Sequence, residues 1–172
     1  MIGTLDPNPL VAGKSVEKLR AAGVEVLVGV KEQACKHLAR FFLQRMKKKR
    51  PYVLLKIAES ADGFITAEKG TQTQITGVES QKKCHALRSH VDAIVVGAET
   101  VRIDNPSLTA RFVNGKNPKR IVLSVSGKFE GTETVFTDNL AETFVCVPNE
   151  KVERLAQKFP SMNFVGIRMK SA

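Results

Sequence analysis

Short apolar segments alternate with helical segments along this chain of 172 residues, and that alternation constrains the fold more than any other feature. Because strand–helix–strand units place consecutive strands side by side, the pattern predicts an α/β fold with a largely parallel sheet flanked by helices. The strands are predicted at about 52–58, 92–97, 119–125, 143–147 and 163–167, and the helices at about 33–49, from Thr76 onward and at about 149–158.

The opening of the chain has its own pattern. Residues from Ser15 to Ala22 show helical spacing, and Gly23 is well placed to end that helix. Residues 24–30 alternate valine with other residues, which predicts a strand. Together these segments indicate the tail of a β-α-β unit, whose partner strands we expect to lie outside this chain.

Composition excludes several classes of protein. Hydrophobic residues make up 42% and charged residues 26%, which excludes a disordered chain. No apolar run approaches the ~20 residues that span a bilayer, and the N-terminus has no secretory pattern. We therefore expect a cytoplasmic protein without a membrane partner. The three cysteines are scattered and form no CxxC pair, so neither a disulfide framework nor a zinc knuckle is expected.

The formal charge is +10, from 27 Lys and Arg against 17 Asp and Glu, which favours anionic partners. Residues 45–50 are mostly cationic and end the predicted helix at 33–49, where they complement its dipole; an anion-binding patch is the alternative. Aromatic residues make up only 6%, which leaves little for stacking on bases. A nucleic-acid partner is therefore not expected.

Two loops follow predicted strands, at 59–74 and 98–111, and we expect both at one edge of the sheet, where ligands bind in open α/β folds. The second loop combines hydroxyl, carboxylate and guanidinium groups, which suit a phosphorylated small molecule. A solvated loop with a plain turn at 104–106 is an equal alternative. The chain contains neither GxGxxG nor a Walker motif, and it lacks the zinc-deaminase signature.

The helix from Thr76 begins with a capping-box pattern, in which Thr76 and Glu79 would cap it. It carries Cys84 and His85, which are adjacent in sequence and therefore point to different sides. The spacing thus argues against a shared metal, and no metal site is predicted.

An ordered series of motifs resembles the bifunctional riboflavin-biosynthesis deaminase/reductase family. Residues 6–24 are similar to the end of the deaminase domain, and the later motifs are similar to the reductase domain, which has a dihydrofolate-reductase-like fold. The later motifs are Arg50-Pro51-Tyr52-Val53, Ser60-Ala61-Asp62-Gly63, Ile75-Thr76-Gly77, His85-Ala86-Leu87-Arg88, Asp92-Ala93-Ile94-Val95-Val96-Gly97 and Asp104-Asn105-Pro106-Ser107-Leu108-Thr109-Ala110-Arg111.

The resemblance implies that residues 1–49 are the tail of a deaminase-like domain with a connecting helix. Residues 50–172 would be the N-terminal part of a reductase domain. The implied reaction is NADPH-dependent reduction of 5-amino-6-(5-phosphoribosylamino)uracil to its ribitylamino form, by hydride transfer to the ring-opened ribose carbon. The implied partners are a phosphorylated pyrimidine and NADPH, and zinc would belong only to the deaminase part.

The resemblance also assigns residues to ligands, although it names no catalytic residue. Relatives often have serine and tryptophan where this chain has Gln72 and Gln74, a departure that bears on the nicotinamide contact. The implied substrate-binding residues are Gln72, Arg88, Leu108 and Arg111, and the implied cofactor-binding residues are Ala58, Gln74, Thr100 and Asp104.

The family's glycine-rich cofactor loop is expected beyond Ala172. On that ground we expect this chain to bind NADPH weakly, to turn over little and to expose apolar surface that favours association, with a homo-oligomer left open. The alternative to a reductase is a truncated or degenerate relative that binds ligand without catalysis.

Overall fold

The computed structural model describes residues 1–169, and its backbone contacts divide the chain into two compact units. The first unit runs from Met1 to Lys56 and the second begins at Ile57. The domain boundary that the resemblance implies, after residue 49, stays a prediction, since compact units and family domains need not coincide. Along the described residues, no helix has the length and apolar character needed to cross a membrane.

The second unit is built on a four-stranded parallel sheet in the order β1-β2-β3-β4. This confirms the predicted α/β class, and four of the five strands predicted after residue 50 are present near their expected bounds. The strands are β1 (Ala93–Gly97), β2 (Lys119–Leu123), β3 (Thr143–Pro148) and β4 (Asn163–Ile167), and the helices of this unit are α4 (Val78–Ser89), α5 (Ala98–Asp104), α6 (Thr134–Thr137) and α7 (Val152–Lys158).

The core lies between the central strands and the helices of this unit. Val122 on β2 and Val145 and Val147 on β3 are completely buried. Val101 of α5 and Leu155 of α7 belong to the same buried cluster. Alternate residues of a strand point to the same face, so β2 and β3 direct these three valines into the core. The loops that follow the strands lie at the edges of the sheet.

Residues 51–60 form no regular structure, so the strand predicted at 52–58 is wrong. The segment is apolar and β-branched enough to suit a strand, but strand hydrogen bonds run between chains of a sheet, and no partner pairs with it. Val53 and Leu55 are each 80% exposed. The apolar side chains of this segment are therefore not buried as those of a core strand would be.

The first unit contains the predicted opening helix as α1 (Lys14–Ala21). Gly23 adopts a positive φ of 77°, and hydrogen bonds from Gly23 N to Arg20 O and from Val24 N to Leu19 O close the helix in a Schellman motif. The strand predicted at 24–30 is reduced to one parallel bridge between Ile2 and Val28. The bridge spans α1, which is a minimal β-α-β arrangement.

The single helix predicted at 33–49 is interrupted. The structure has α2 (Glu32–Leu38) and α3 (Arg40–Lys48), which meet at Ala39. Ala39 has φ −88° and ψ 11°, outside the helical range, and so breaks the run. The large apolar side chains of these helices are partly or fully exposed, with Leu38 at 81% and Phe42 at 45%.

Helix α4 begins at the extended Gly77, and no side chain caps it. The predicted capping box of Thr76 and Glu79 is therefore wrong. Glu79 instead pairs with Lys82 at 2.9 Å on the exposed side of the first turn. Because surface pairs contribute little, α4 is held chiefly by what its later turns contact.

Candidate functional site

Helix α4 presents two polar side chains to the segment 105–112, which follows α5. His85 and Arg88 are three residues apart and therefore share one face of the helix. Arg88 is half-buried, and its Nη1 donates to the Thr109 carbonyl at 3.1 Å. This contact joins residues 21 positions apart and fixes the guanidinium beside the segment.

Arg111 brings a second guanidinium to the same place. Its side chain is exposed, its Nη1 lies 3.5 Å from Thr109 Oγ1, and its Cζ lies 5.1 Å from the ring centroid of Phe112. Burial lowers the pKa of Arg88, and the charge of Arg111 lowers it further, while Cys84 acts in the opposite sense. Arg111 is thus close enough to Arg88 for the two charges to repel.

No carboxylate compensates these two cations. Among residues 1–169, the salt bridges include neither Arg88 nor Arg111. Two neighbouring guanidiniums without a counter-ion create a local positive potential, and their planar forks suit a carboxylate or phosphate. The arrangement is therefore a candidate anion site.

His85 is the residue of this cluster to which the sequence assigned no role. It is only 4% exposed, and its ring centroid lies 4.3 Å from that of Phe112. Burial and the charges of Arg88 and Arg111 lower the pKa of His85, with the Thr109 backbone opposing them. The one sequence signal was its place three residues before Arg88, and such spacing cannot reveal what faces a helix.

Leu108 is buried beside Thr109 and has a positive φ of 54°. A left-handed backbone is costly for leucine, so the surrounding structure must hold it. Asn105, also left-handed, accepts the Thr134 N–H on Oδ1 at 2.7 Å, and Ser107 Oγ donates to Asp138 Oδ2 at 3.2 Å. These tethers to α6 and the turn after it fix the turn that places Leu108.

Asp138 is itself anchored by the completely buried Arg120. Arg120 Nη1 and Nη2 donate to Asp138 Oδ1 and Oδ2 at 2.7 Å each, and Nη1 also donates to the Val135 carbonyl at 3.0 Å. Burial by itself would raise the pKa of Asp138, but hydrogen bonds from Arg120, Leu140 and Ser107 outweigh it and hold that pKa below its ordinary value. The acceptor for Ser107 is thus a fixed carboxylate.

The two implied cofactor residues of the second loop lie on a helix. Residues 98–104 form α5, so the prediction that 98–111 is a loop throughout is wrong in its first half. Thr100 is exposed, and Asp104 is half-buried at the helix end. They are four residues apart and share one face, where a hydroxyl and a carboxylate can hydrogen-bond one ligand.

The other implied residues lie in or before the loop 60–75, which is bonded mainly to itself. Thr66 Oγ1 lies 3.1 Å from Thr73 Oγ1, and Ser60 Oγ accepts the Phe64 N–H at 3.0 Å. The loop surrounds a cavity of about 420 Å³, lined by Ser60, Asp62, Phe64, Thr66, Ala67, Thr73 and Ile75.

Gln72 and Gln74 are exposed and do not line that cavity, and Ala58 is half-buried before it. Within residues 1–169, no hydrogen bond joins these three residues to Arg88, Leu108 or Arg111. The structure therefore brings Arg88 and Arg111 together at Thr109, next to Leu108, and among residues 1–169 it shows no hydrogen bond from Gln72 to this group. Whether the two loops share one edge of the sheet stays a prediction.

In the described part of the chain, no three His, Cys, Asp or Glu side chains are grouped closely enough to hold a metal ion. The cysteines at positions 35, 84 and 146 are all free thiols. The groups of this cluster that can bind an anion are the guanidiniums of Arg88 and Arg111.

Comparison with known proteins identifies what the chain resembles. The profile of the RibD C-terminal domain family matches residues 51–171. The chain is 42% identical over 161 residues to the riboflavin biosynthesis protein RibD of Aquifex aeolicus, covering 92% of this chain and 45% of that protein. It is 41% identical over 145 residues to the RibD protein of Synechocystis, covering 84% of this chain and 39% of that one.

Solved structures agree. A diaminohydroxyphosphoribosylaminopyrimidine deaminase/5-amino-6-(5-phosphoribosylamino)uracil reductase from Thermotoga maritima superposes with a TM-score of 0.82 at 39% identity, over 95% of this chain and 46% of that one. Acinetobacter baumannii RibD gives 0.77 at 30% identity, over 98% and 48%. The likeness confirms the dihydrofolate-reductase-like α/β fold that the resemblance implied. The chain spans less than half the length of these relatives.

Proposed function

The chain belongs to the RibD C-terminal domain family, and from that premise we propose that it supplies the substrate-binding part of a riboflavin-biosynthesis reductase. The proposed reaction is NADPH-dependent reduction of 5-amino-6-(5-phosphoribosylamino)uracil to its ribitylamino form. The Thermotoga maritima relative bears a title that includes this uracil reductase.

The observation that supports the proposal is the pair of uncompensated guanidiniums, Arg88 and Arg111, on either side of Thr109. Such a pair binds a phosphate dianion well, because charge-assisted hydrogen bonds are roughly twice as strong as neutral ones. The phosphoribosyl group of the proposed substrate supplies that dianion. Leu108, buried next to this pair, offers an apolar contact.

In the proposed mechanism, the part of the protein is to hold the substrate in position for hydride transfer. NADPH, when bound, supplies a hydride to the electrophilic carbon of the ring-opened ribose. Arg88 and Arg111 bind the phosphate and so fix that carbon in place. Thr100 and Asp104 share a helix face and present hydrogen-bonding groups that fit a cofactor ribose or amide. Correct placement carries most of the rate in such a reaction.

The test is a chimaera in which residues 51–169 replace the matching segment of the Thermotoga maritima enzyme. We expect it to oxidise NADPH in the presence of 5-amino-6-(5-phosphoribosylamino)uracil, at a rate measured by absorbance at the nicotinamide band. The parent enzyme is the positive control. Arg88→Lys is the matched variant, since it keeps the charge and loses the planar fork.

A second candidate function is ligand binding without catalysis. It is favoured by Gln72 and Gln74, which are exposed and stand where relatives often have serine and tryptophan. A chimaera that folds and binds ribose 5-phosphate, but oxidises no NADPH, would select this alternative. Restoration of turnover by Gln74→Trp would identify the missing aromatic contact as the reason.

A further inference from the structure

The buried His85 takes no part in the proposed chemistry, yet it lies close to both arginines of the anion site. Its ring lies 4.3 Å from Phe112, with the two ring planes inclined at 42°. Its Nδ1 is buried and has no hydrogen-bond partner among the described residues. A buried polar atom without a partner is costly, so a role for this histidine must be sought in what its ring contacts.

Burial and the neighbouring positive charges disfavour the charged form of the His85 imidazole. The charged groups that face it are Arg88 from its own helix and Arg111 from the opposite segment, and the thiol of Cys84 lies one turn before Arg88. An imidazolium would need an acceptor at Nδ1, where residues 1–169 supply none, and would add a third positive charge. Burial and both guanidiniums accordingly lower the pKa of His85 from its ordinary 6.5.

The neighbours of the ring are the supports of both guanidiniums. The Phe112 ring contacts the His85 ring, and the Arg111 guanidinium lies 5.1 Å from the centroid of the Phe112 ring. The Thr109 backbone faces His85 and also accepts the hydrogen bond from Arg88. A change at His85 therefore reaches Arg111 through Phe112 and Arg88 through Thr109.

We propose that His85 is a positioning residue of the anion site, whose buried ring packs against Phe112 and Thr109 and so orients Arg88 and Arg111 toward one phosphate. The inference rests on the proposed function, because it assumes that the two arginines bind the substrate phosphate. It assigns His85 no contact with the ligand. Its effect passes through Phe112 and Thr109 alone.

The test measures binding of ribose 5-phosphate to the whole chain by isothermal titration calorimetry. We expect His85→Ala to weaken binding at least about fivefold, since it removes the support of both guanidiniums. His85→Phe keeps a neutral ring and should bind within about twofold of the wild type. The exposed His37, in the other unit, is the matched control, and His37→Ala should leave the affinity unchanged.

A double-mutant cycle separates positioning from a general loss of structure. In the Arg111→Ala background, His85→Ala should weaken binding by a smaller factor than it does in the wild type, because the part of its effect that passes through Phe112 to Arg111 is already lost. Phe112→Ala provides a second route if His85→Ala fails to fold. Phe112 is 48% exposed and tolerates truncation, and its loss should reproduce the weakening.

The outcomes are distinct. If the wild type does not bind ribose 5-phosphate, or if Arg88→Ala and Arg111→Ala bind it as tightly as the wild type, the proposed function fails and the inference fails with it. If the arginine variants weaken binding but His85→Ala and Phe112→Ala do not, only the inference fails. Equal losses in His85→Phe and His85→Ala would also overturn it, since they would show that an imidazole nitrogen contacts the ligand.

Discussion

The segment 105–112 and the loop 60–75 each carry two of the implied ligand-binding residues, but the protein holds them in different ways. The segment is tied to α6, to the turn after it and to the buried Arg120 through Asn105, Ser107 and Asp138. The loop forms hydrogen bonds chiefly among its own threonines and serine. The segment 105–112 is thus held in place by the core of the second unit, whereas the loop 60–75 is held mainly by its own hydrogen bonds.

This difference matters because preorganised groups need little ordering when a ligand binds. Leu108, Thr109 and Arg111 already occupy defined positions, and Leu108 is held in a left-handed backbone that few leucines adopt. Gln72 and Gln74 are exposed on a loop that is bonded mainly to itself, so fewer contacts fix their side chains before a ligand binds. We therefore expect substitutions behind the segment to affect both stability and affinity.

The largest effect should come from removing Asp138, which links the segment 105–112 to the buried Arg120. Asp138→Ala leaves the completely buried Arg120 unpaired, which typically costs about 3–5 kcal/mol of the free energy of unfolding. Urea unfolding followed by circular dichroism measures the loss. Glu142→Ala is the matched control: its partner Lys119 is exposed, so the change should stay below about 1 kcal/mol. A similar loss in both variants would contradict the comparison.

The next effect concerns the ligand end of the segment. Arg88→Ala removes the guanidinium bonded to the Thr109 carbonyl and should raise KM in the chimaera at least tenfold, roughly 1.4 kcal/mol of lost binding. Steady-state kinetics at varied substrate concentration give the value. Unchanged kinetics would mean that Arg88 is a solvated surface residue and that the segment 105–112 positions no anion site.

A smaller effect separates the two regions directly. Ser107→Ala removes the hydrogen bond to Asp138 but leaves Arg120 paired, and should cost about 1 kcal/mol of stability. Thr66→Val, which breaks the bonds inside the other loop, should change the free energy of unfolding far less, because that loop is exposed. Amide hydrogen exchange should then accelerate in 105–110 for Ser107→Ala alone. Equal acceleration in both variants would erase the distinction.

The smallest effect is a pH dependence. Because the pKa of His85 is lowered in the folded protein, the unfolded chain takes up this proton first as the pH falls below 6.5. Stability should therefore decline from pH 6.5 downward, and His85→Phe should flatten that part of the curve. Asp138 acts in a separate range, since its depressed pKa means that its contribution is lost only as the pH falls below its ordinary 3.8. Thermal unfolding between pH 4.5 and 7.5 isolates the histidine; an identical slope in His85→Phe would refute its role.

Local pattern was enough for most of the sheet and insufficient for the segments around it. The runs at 93–97 and 143–148 could be predicted as strands because they are short, apolar and flanked by polar residues, which is typical of a buried strand. The run at 51–60 has the same composition but lacks a partner, and hydrogen bonding between strands cannot be inferred from one strand. The break at Ala39 is equally invisible, since alanine favours helices.

The sequence by itself determined the α/β class, the positions of four strands of its sheet and the residue types available to bind an anion. These follow from hydrophobic periodicity and from motifs, both of which are properties of neighbouring residues. Only the tertiary structure decided that Arg88 and Arg111 share Thr109, that His85 is buried against Phe112 and that Asp138 holds the segment through Ser107. Contacts between distant residues depend on packing and on the burial of charge, and no local spacing contains that information.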